Sequence, residues 1–476
     1  NFFELSNARK ITANNTLIQY RIVGAYGELA LSYDDYLFLS VTGRNDWTST
    51  LEENNRSFFY PSASLSYIFT QQFKTLPAWF TYGKFRASLA GIGKDATAYS
   101  TSVIYLPEPD IAPINGVNQW TRSNAGGINT LKPEYTTTFE LGTDLNFFNS
   151  RLGLGFTWYK SNSRDQIVPV ATAPSTGFTS ITLNAGEVEN TGIEVSLNAK
   201  PVETKNFNWN LGFNLSHNKN KVISLYGGLT ELTVGSQYGY SNATVTMKYI
   251  PGESVGDIFG TPVSRYYDAS HQEDPLHPDK SRPVLIGANG FPILTSTSNQ
   301  KILGNSYPKW VAGINNSFTY KSFTLSFLFD GHFDVRKYDQ LNNFMAAFGI
   351  AKYTENRNET MVFDGVLADG TKNTKAVWLG QGVGPDGHNY GNGYYRNFYR
   401  GISEHFVEDA SFIKLRTLTL TYNLNPVWLA KTFVKAASVG FTGNNLWIHT
   451  NYIGFDPESS SAVAGSNVNG FAGFTY

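Results

Sequence analysis

The sequence has no cysteine among its 476 residues. That excludes a disulfide framework and any thiolate metal site, and it leaves the compartment open. Charge is also scarce. Asp, Glu, Lys and Arg make up 16% of the chain, against about 25% in ordinary soluble domains. The charge present is balanced, with 37 Lys plus Arg, 38 Asp plus Glu and a net of −1, which excludes a general nucleic-acid binder. No apolar run approaches the ~18 residues of a spanning helix, and the mean hydropathy is only −0.27. A membrane β-barrel remains open, because it carries its hydrophobicity at every second position. The first residues, "NFFELSNARK", lack an initiator Met, a basic stretch and an apolar stretch. The chain is therefore expected to start within a longer protein or after processing.

What the sequence has in quantity is aromatics and glycine: 28 Tyr, 34 Phe, 9 Trp and 44 Gly. They fall in alternating runs. In "TTTFELGTDLNFFNSRLGLGFTWYKSNS", Phe139, Leu141, Leu145 and Phe147 share one face, with Glu140, Gly142, Asp144 and Asn146 on the other. A turn at Asn149-Ser150 leads to Leu152, Leu154, Phe156 and Trp158, which alternate with Gly153, Gly155, Thr157 and Tyr159. Both runs reach the ~10 residues of a tilted membrane strand. Ile193/Val195/Leu197 and Trp209/Leu211/Phe213/Leu215 repeat the pattern. "WVAGINNSFTYKSFTLSFLFDGHF" does so around Lys321-Ser322, with Phe323, Leu325, Phe327 and Phe329 in one row. "SFIKLRTLTLTYNL" and "AASVGFTGNNLWIHT" complete about a dozen strands, joined by short turns on one side and long loops on the other.

The second face of these strands is mostly Gly, Ser, Thr and Asn, unlike the Lys- and Glu-rich face of a soluble sheet. Trp47, Trp158, Tyr159, Trp209, Trp310, Tyr320 and Trp447 stand at strand ends, as in the aromatic girdles of an outer-membrane barrel. Pattern alone admits two readings: a transmembrane antiparallel β-barrel, or a large soluble all-β protein with aromatic cores. A lipid-facing cation would cost about 2–4 kcal/mol at mid-membrane. In strict alternation Lys414 and Arg416 share one phase, while Ile413, Leu415, Thr417 and Thr419 take the other, so both cations are expected to point inward.

Long loops are expected at about 104–130, 225–306 and 335–409. Loops of that length are usually functional. Trp120, Arg122, Trp378, Tyr390, Tyr395 and Arg396 are the candidate substrate contacts in them, chosen for stacking and hydrogen bonding. In "SHQEDPLHPDK", His271, Glu273 and Asp274 form a weak metal candidate beside His277 and Asp279. Pro275 and Pro278 forbid a helical ligand pair there, and a solvated acidic loop is the simpler reading. "GQGVGPDGHNYGNGYYRN" lacks the context of a phosphate cradle. No nucleophile elbow or defensible catalytic grouping occurs, so no enzyme activity and no cofactor are expected.

Several segments resemble the SusC/RagA family of TonB-dependent outer-membrane transporters of Bacteroidetes. "VTGRNDWTSTLEENNRSFFYPSASLSYIF" is similar to its Arg-Asn-Asp-Trp and Asn-Arg-Ser-x-Phe-Tyr-Pro-Ser signature, here Arg44–Ser49 and Asn55–Ser62. "KILGNSYPKWVAGINNSFTYKSFTLSFLFDG", "FVEDASFIKLRTLTLTYNL" and "FTGNNLWIHTNYIGFDPE" resemble later segments, down to Gly454-Phe455-Asp456-Pro457-Glu458. The resemblance implies a 22-stranded barrel with an N-terminal plug in the bacterial outer membrane. It implies a SusD-like surface lipoprotein as lid and energy from TonB-ExbB-ExbD. The cargo would be oligosaccharides or oligopeptides, imported actively. This chain shows no plug domain, TonB box or final strand, so residues 1–476 are expected to be a C-terminal portion of the barrel. The rest must come from another segment, since an open sheet in lipid leaves unpaired edges. The alternatives are a passive porin or adhesin-type barrel and a soluble all-β carbohydrate-binding protein. A plug upstream would exclude the porin, and a need for detergent would exclude the soluble protein.

Overall fold

A computed structural model describes residues 17–73, 75–107, 114–115, 117, 119–237, 245–430, 432–458 and 474–475. Its framework is one twelve-stranded sheet in which every strand pairs with its neighbour in the chain. The strands are β1 (Ile22–Tyr33), β2 (Leu37–Thr48), β3 (Ser57–Tyr67), β4 (Phe80–Lys94), β5 (Glu134–Phe147) and β6 (Leu152–Arg164). They continue as β7 (Gly186–Glu203), β8 (Phe207–Leu225), β9 (Trp310–Tyr320), β10 (Phe323–Phe333), β11 (Phe412–Asn423) and β12 (Ser438–Thr450). All pairings are antiparallel. This is an all-β, antiparallel wall of the kind that closes into a barrel, with β1 and β12 as its edges among the described residues.

The register aligns the apolar phase of each strand with that of the next. One row runs Leu31, Leu39, Leu65, Ala87, Leu141, Trp158, Ile193. Another runs Leu145, Leu154, Leu197, Phe213, Ile314, Phe329, Leu415, Trp447. Side chains of this phase are open to the surroundings: Leu141 is 44% exposed and Phe323 51%. A soluble sheet would bury them. Here the exposed surface is the lipid-facing one. The opposite phase is a ladder of small polar pairs, including Thr42–Ser62 at 2.5 Å, Thr138–Ser161 at 3.0 Å and Thr419–Thr442 at 3.0 Å.

Aromatic rings line both rims. At the short-turn end Trp79 stacks on Phe147, Trp209 on Phe318, and Phe69 on Phe85. Phe69 lies across Gly83, where a Cβ would run into the ring, so this girdle contact requires glycine. At the long-loop end, Trp310 stacks on His217 and Phe329 meets Trp447 edge-on. Tyr159 departs from the girdle expectation. It turns into the lumen over Gly192 and donates to Asn218 at 3.0 Å.

Two local features differ from strict alternation. The β5–β6 turn takes in Phe148, Asn149 and Ser150, all at positive φ, and not the Asn-Ser pair alone. In β11 the register shifts on both sides of Arg416: Leu415 faces Phe329 and Trp447, while Thr417 faces Leu328 and Asn444. This bulge returns Thr417 and Thr419 to the polar phase and Leu418 and Leu420 to the lipid phase. An extra residue in one strand inverts the parity beyond it.

At the long-loop end the segments 226–309 and 334–411 share one core. Strands Leu232–Gln237, Val245–Tyr249, Asp257–Gly260 and Lys301–Asn305 form a small antiparallel sheet. Val245, Met247, Ile258, Leu303, Tyr338, Ala346, Phe406 and Val407 pack together against it. The helix α1 (Gln340–Phe348) starts at Asp339, whose carboxylate accepts from Asn342 N–H at 2.9 Å, and ends on Gly349 at φ 67°.

Candidate substrate-contact surfaces

Two ion-pair clusters on the polar face of the wall flank one register row. At the first, Asp144 of β5 bonds Lys84 at 2.9 Å and Arg86 at 3.0 Å, and Arg86 also donates to Thr157 at 3.2 Å. At the second, the bulged Arg416 holds Asp330 of β10 at 2.6 Å and also pairs with Glu458. Lys414 pairs with Asp456 at 2.8 Å and Glu458 at 2.5 Å. Both expected inward cations therefore do face the lumen. The register row between the clusters is small and neutral: Gly155, Ser196, Asn214, Gly313. A cavity of about 370 Å³ lies along it, also touching Thr157 and Glu194. Amides, hydroxyls and bare backbone offer both donors and acceptors along it.

Asp330, His332 and Glu458 bring ligand atoms within 4.8 Å of one another. Arg416 already spans the two carboxylates, so the cluster is neutralised from within. The loop candidate His271, Glu273, Asp274 does not come together as a ligand set. His271 bonds Asp268 at 2.7 Å, Glu273 pairs with Lys301 at 2.6 Å, and Asp274 accepts from Leu276 N–H and His277 N–H.

The candidate contacts fall into two places. Trp378 meets Tyr390 edge-on at 5.8 Å and donates its indole N–H to the Asn358 carbonyl at 2.9 Å. The Tyr390 hydroxyl donates to Asp386 at 2.7 Å. Tyr395 donates to Asn356 at 2.6 Å, and Arg396 lies 5.9 Å over the Phe348 ring. Tyr395 and Arg396 border a cavity of about 310 Å³. Tyr390 borders another of about 530 Å³ with Phe291, Phe398 and Asn397. Trp120 and Arg122 stand apart on the strand Trp120–Arg122. Trp120 is exposed, and Arg122 lies 4.5 Å over Phe178 and donates to the Gly177 carbonyl at 2.5 Å.

Sequence reasoning missed the buried titratable groups of the loop core. Burial pushes the Glu408 carboxyl up to about 7, even with Asn342 donating to it. It pushes Asp257 up to about 6 against bonds from Asn305 and Ser254, and pulls Lys337 down to about 8. Glu408 and Asp257 lie in segments that read as ordinary loop, and only the fold reveals their burial.

Comparison with known proteins agrees with this geometry. Residues 2–446 match the family model described as TonB dependent receptor-like, beta-barrel. TonB-dependent receptor P3 of Formosa agariphila is 27% identical over 93% of this chain and 42% of its own length. TonB-dependent receptor SusC of Bacteroides thetaiotaomicron is 25% identical over 94% of this chain and 42% of its own. A solved RagAB peptide transporter superimposes with a TM-score of 0.70 at 20% identity, covering 96% of this chain and 47% of that one. The chain thus spans less than half the length of these relatives.

Proposed function

The chain belongs to the TonB-dependent receptor β-barrel family, a family of transporters and not of enzymes, and from that premise we propose that it forms the C-terminal wall and outer mouth of an active importer. The remaining strands, the plug and the TonB contact would lie in the part of the protein outside residues 1–476. TonB-ExbB-ExbD would supply the energy, and a SusD-like lipoprotein would close over the loops. The cargo class is an oligosaccharide or oligopeptide. Trp378, Tyr390, Tyr395 and Arg396 would meet it at the mouth, with Trp120 and Arg122 as a second patch. The observation that carries this reading is the row of small residues, Gly155, Ser196, Asn214 and Gly313, between two ion-pair clusters on the polar face of the wall. With Glu194 beside it, the row offers hydrogen-bond donors and acceptors along which a polar oligomer can be handed on.

The test is purification of the full-length protein from native outer membranes, with mass spectrometry of what accompanies it, followed by uptake assays of the ligand found. A lipoprotein and an oligomer should co-purify, and uptake should stop when the inner-membrane proton gradient is dissipated. Uptake that continues at full rate would make the barrel a passive pore.

A further inference from the structure

The C-terminal end of α1 borders the cavity of about 310 Å³ in the loop core, a volume within the range of ligand pockets. Arg357 and Arg396 both line it, and no carboxylate does. Arg357 donates from one nitrogen to the Gly349 carbonyl at 2.7 Å, just past the end of α1. No Asp or Glu lies within ion-pair distance of Arg357 among the described residues. Arg396 lies over the Phe348 ring. Glu359 acts on the Tyr395 hydroxyl from outside the lining. The last turn of α1 adds about half a negative charge, which the two guanidiniums outweigh.

The remaining walls are mostly polar. The exposed Asn358, Gln381 and Asn392 bring three side-chain amides. Gln381 and Asn392 flank the closing pair of a hairpin, in which Gly382 N–H donates to the Gly391 carbonyl at 2.8 Å. Two amides are thus held at its base. The aliphatic lining, Ala346, Ala347 and Leu379, is buried and offers no slot for an apolar side chain. The Phe348 ring at the cavity's edge is exposed.

We propose that this cavity binds a uronate residue of an acidic oligosaccharide, with Arg357 and Arg396 on its carboxylate and the three amides on its hydroxyls. A guanidinium is a planar fork matched to a carboxylate, and it stays charged. Amides donate to hydroxyls and accept from them. A uronate ring also has an apolar face, which the exposed Phe348 ring can meet. A peptide carboxyl terminus would bring the charge, but its side chain would find no apolar slot. The proposal rests on the importer reading above and narrows its cargo to anionic oligosaccharides.

The experiment titrates the full-length protein in detergent micelles with a short oligouronate, with the same oligomer after its carboxyls are reduced to alcohols, and with a short peptide bearing a free carboxyl terminus. The oligouronate should bind most tightly. The double variant Arg357→Gln/Arg396→Gln should lose about tenfold or more in affinity for it, with little change for the reduced oligomer. Lys372→Gln, which removes a cation outside the cavity lining, should bind as the parent does. Thermal unfolding of the double variant reports whether it folds, and Gln381→Ala/Asn392→Ala gives an independent loss if it does not. Equal binding of the reduced oligomer, tighter binding of the peptide, or undiminished binding by the folded variants would overturn the proposal. Binding is read without an energised inner membrane, so a passive pore would still take the oligouronate, and an importer of another cargo would not.

Discussion

At the scale of single residues, phase decides function. Trp158 and Tyr159 are neighbours of similar chemistry, yet the first joins the lipid row and the second lies over Gly192 in the lumen. Glu408 shows the same dependence on place. Its carboxylate accepts from Asn342 at 2.8 Å and from Ile453 N–H at 3.2 Å, tying the loop core to the segment that carries Asp456 and Glu458 to the wall. Burial raises its pKa from 4.5 to about 7, and burial also raises that of nearby Asp339. Between those values the folded state holds a proton that the unfolded state has lost. The stabilisation is therefore complete below about pH 4.5 and is lost as pH climbs toward 7. Hydrogen-exchange protection of the amides around Ile453 should fall about tenfold or more across that window. In Glu408→Gln the fall should largely vanish. An unchanged slope in that variant would assign the titration elsewhere.

At the scale of elements, the strands were legible because alternation has a period of two and tolerates no drift. Phe139, Leu141, Leu145 and Phe147 read from the sequence as one row, and the register makes them one. The β11 bulge was not legible. An inserted residue looks like any other in a linear pattern, and only pairing with β10 exposes it. Arg416 is that extra residue, and its side chain joins the second cluster. Deleting Arg416 should therefore leave Leu418 and Leu420 facing lipid and still yield a folded wall, weakened by the lost ion pairs. Inserting one serine after Thr417 should invert the rest of the strand and sharply reduce the folded fraction in liposomes. Equal folding of the two variants would remove the bulge from the account. The aromatic mouth was legible only in part. Trp378 and Tyr390 do meet, but the contacts of Trp120 and Arg122 lie elsewhere, because pairing between distant loops leaves no mark on local sequence.

At the scale of the whole molecule, one sheet separates two solvents and one loop core stands over its outer edge. The sheet's exposed leucines and phenylalanines are ordinary only if acyl chains cover them, and its asparagines and glycines only if water or cargo does. Residues 1–476 contain no cysteine, so once any cysteine elsewhere in the protein is replaced, this is directly measurable. Single cysteines placed at each position from Phe139 to Phe147 in the full-length protein, reconstituted in lipid, report their own surroundings. Quenching by brominated acyl chains should be strong at 139, 141, 143, 145 and 147, and labelling by a water-soluble thiol reagent strong at 140, 142, 144 and 146. Uniform labelling, or quenching at the positions of Glu140 and Asp144, would contradict the wall.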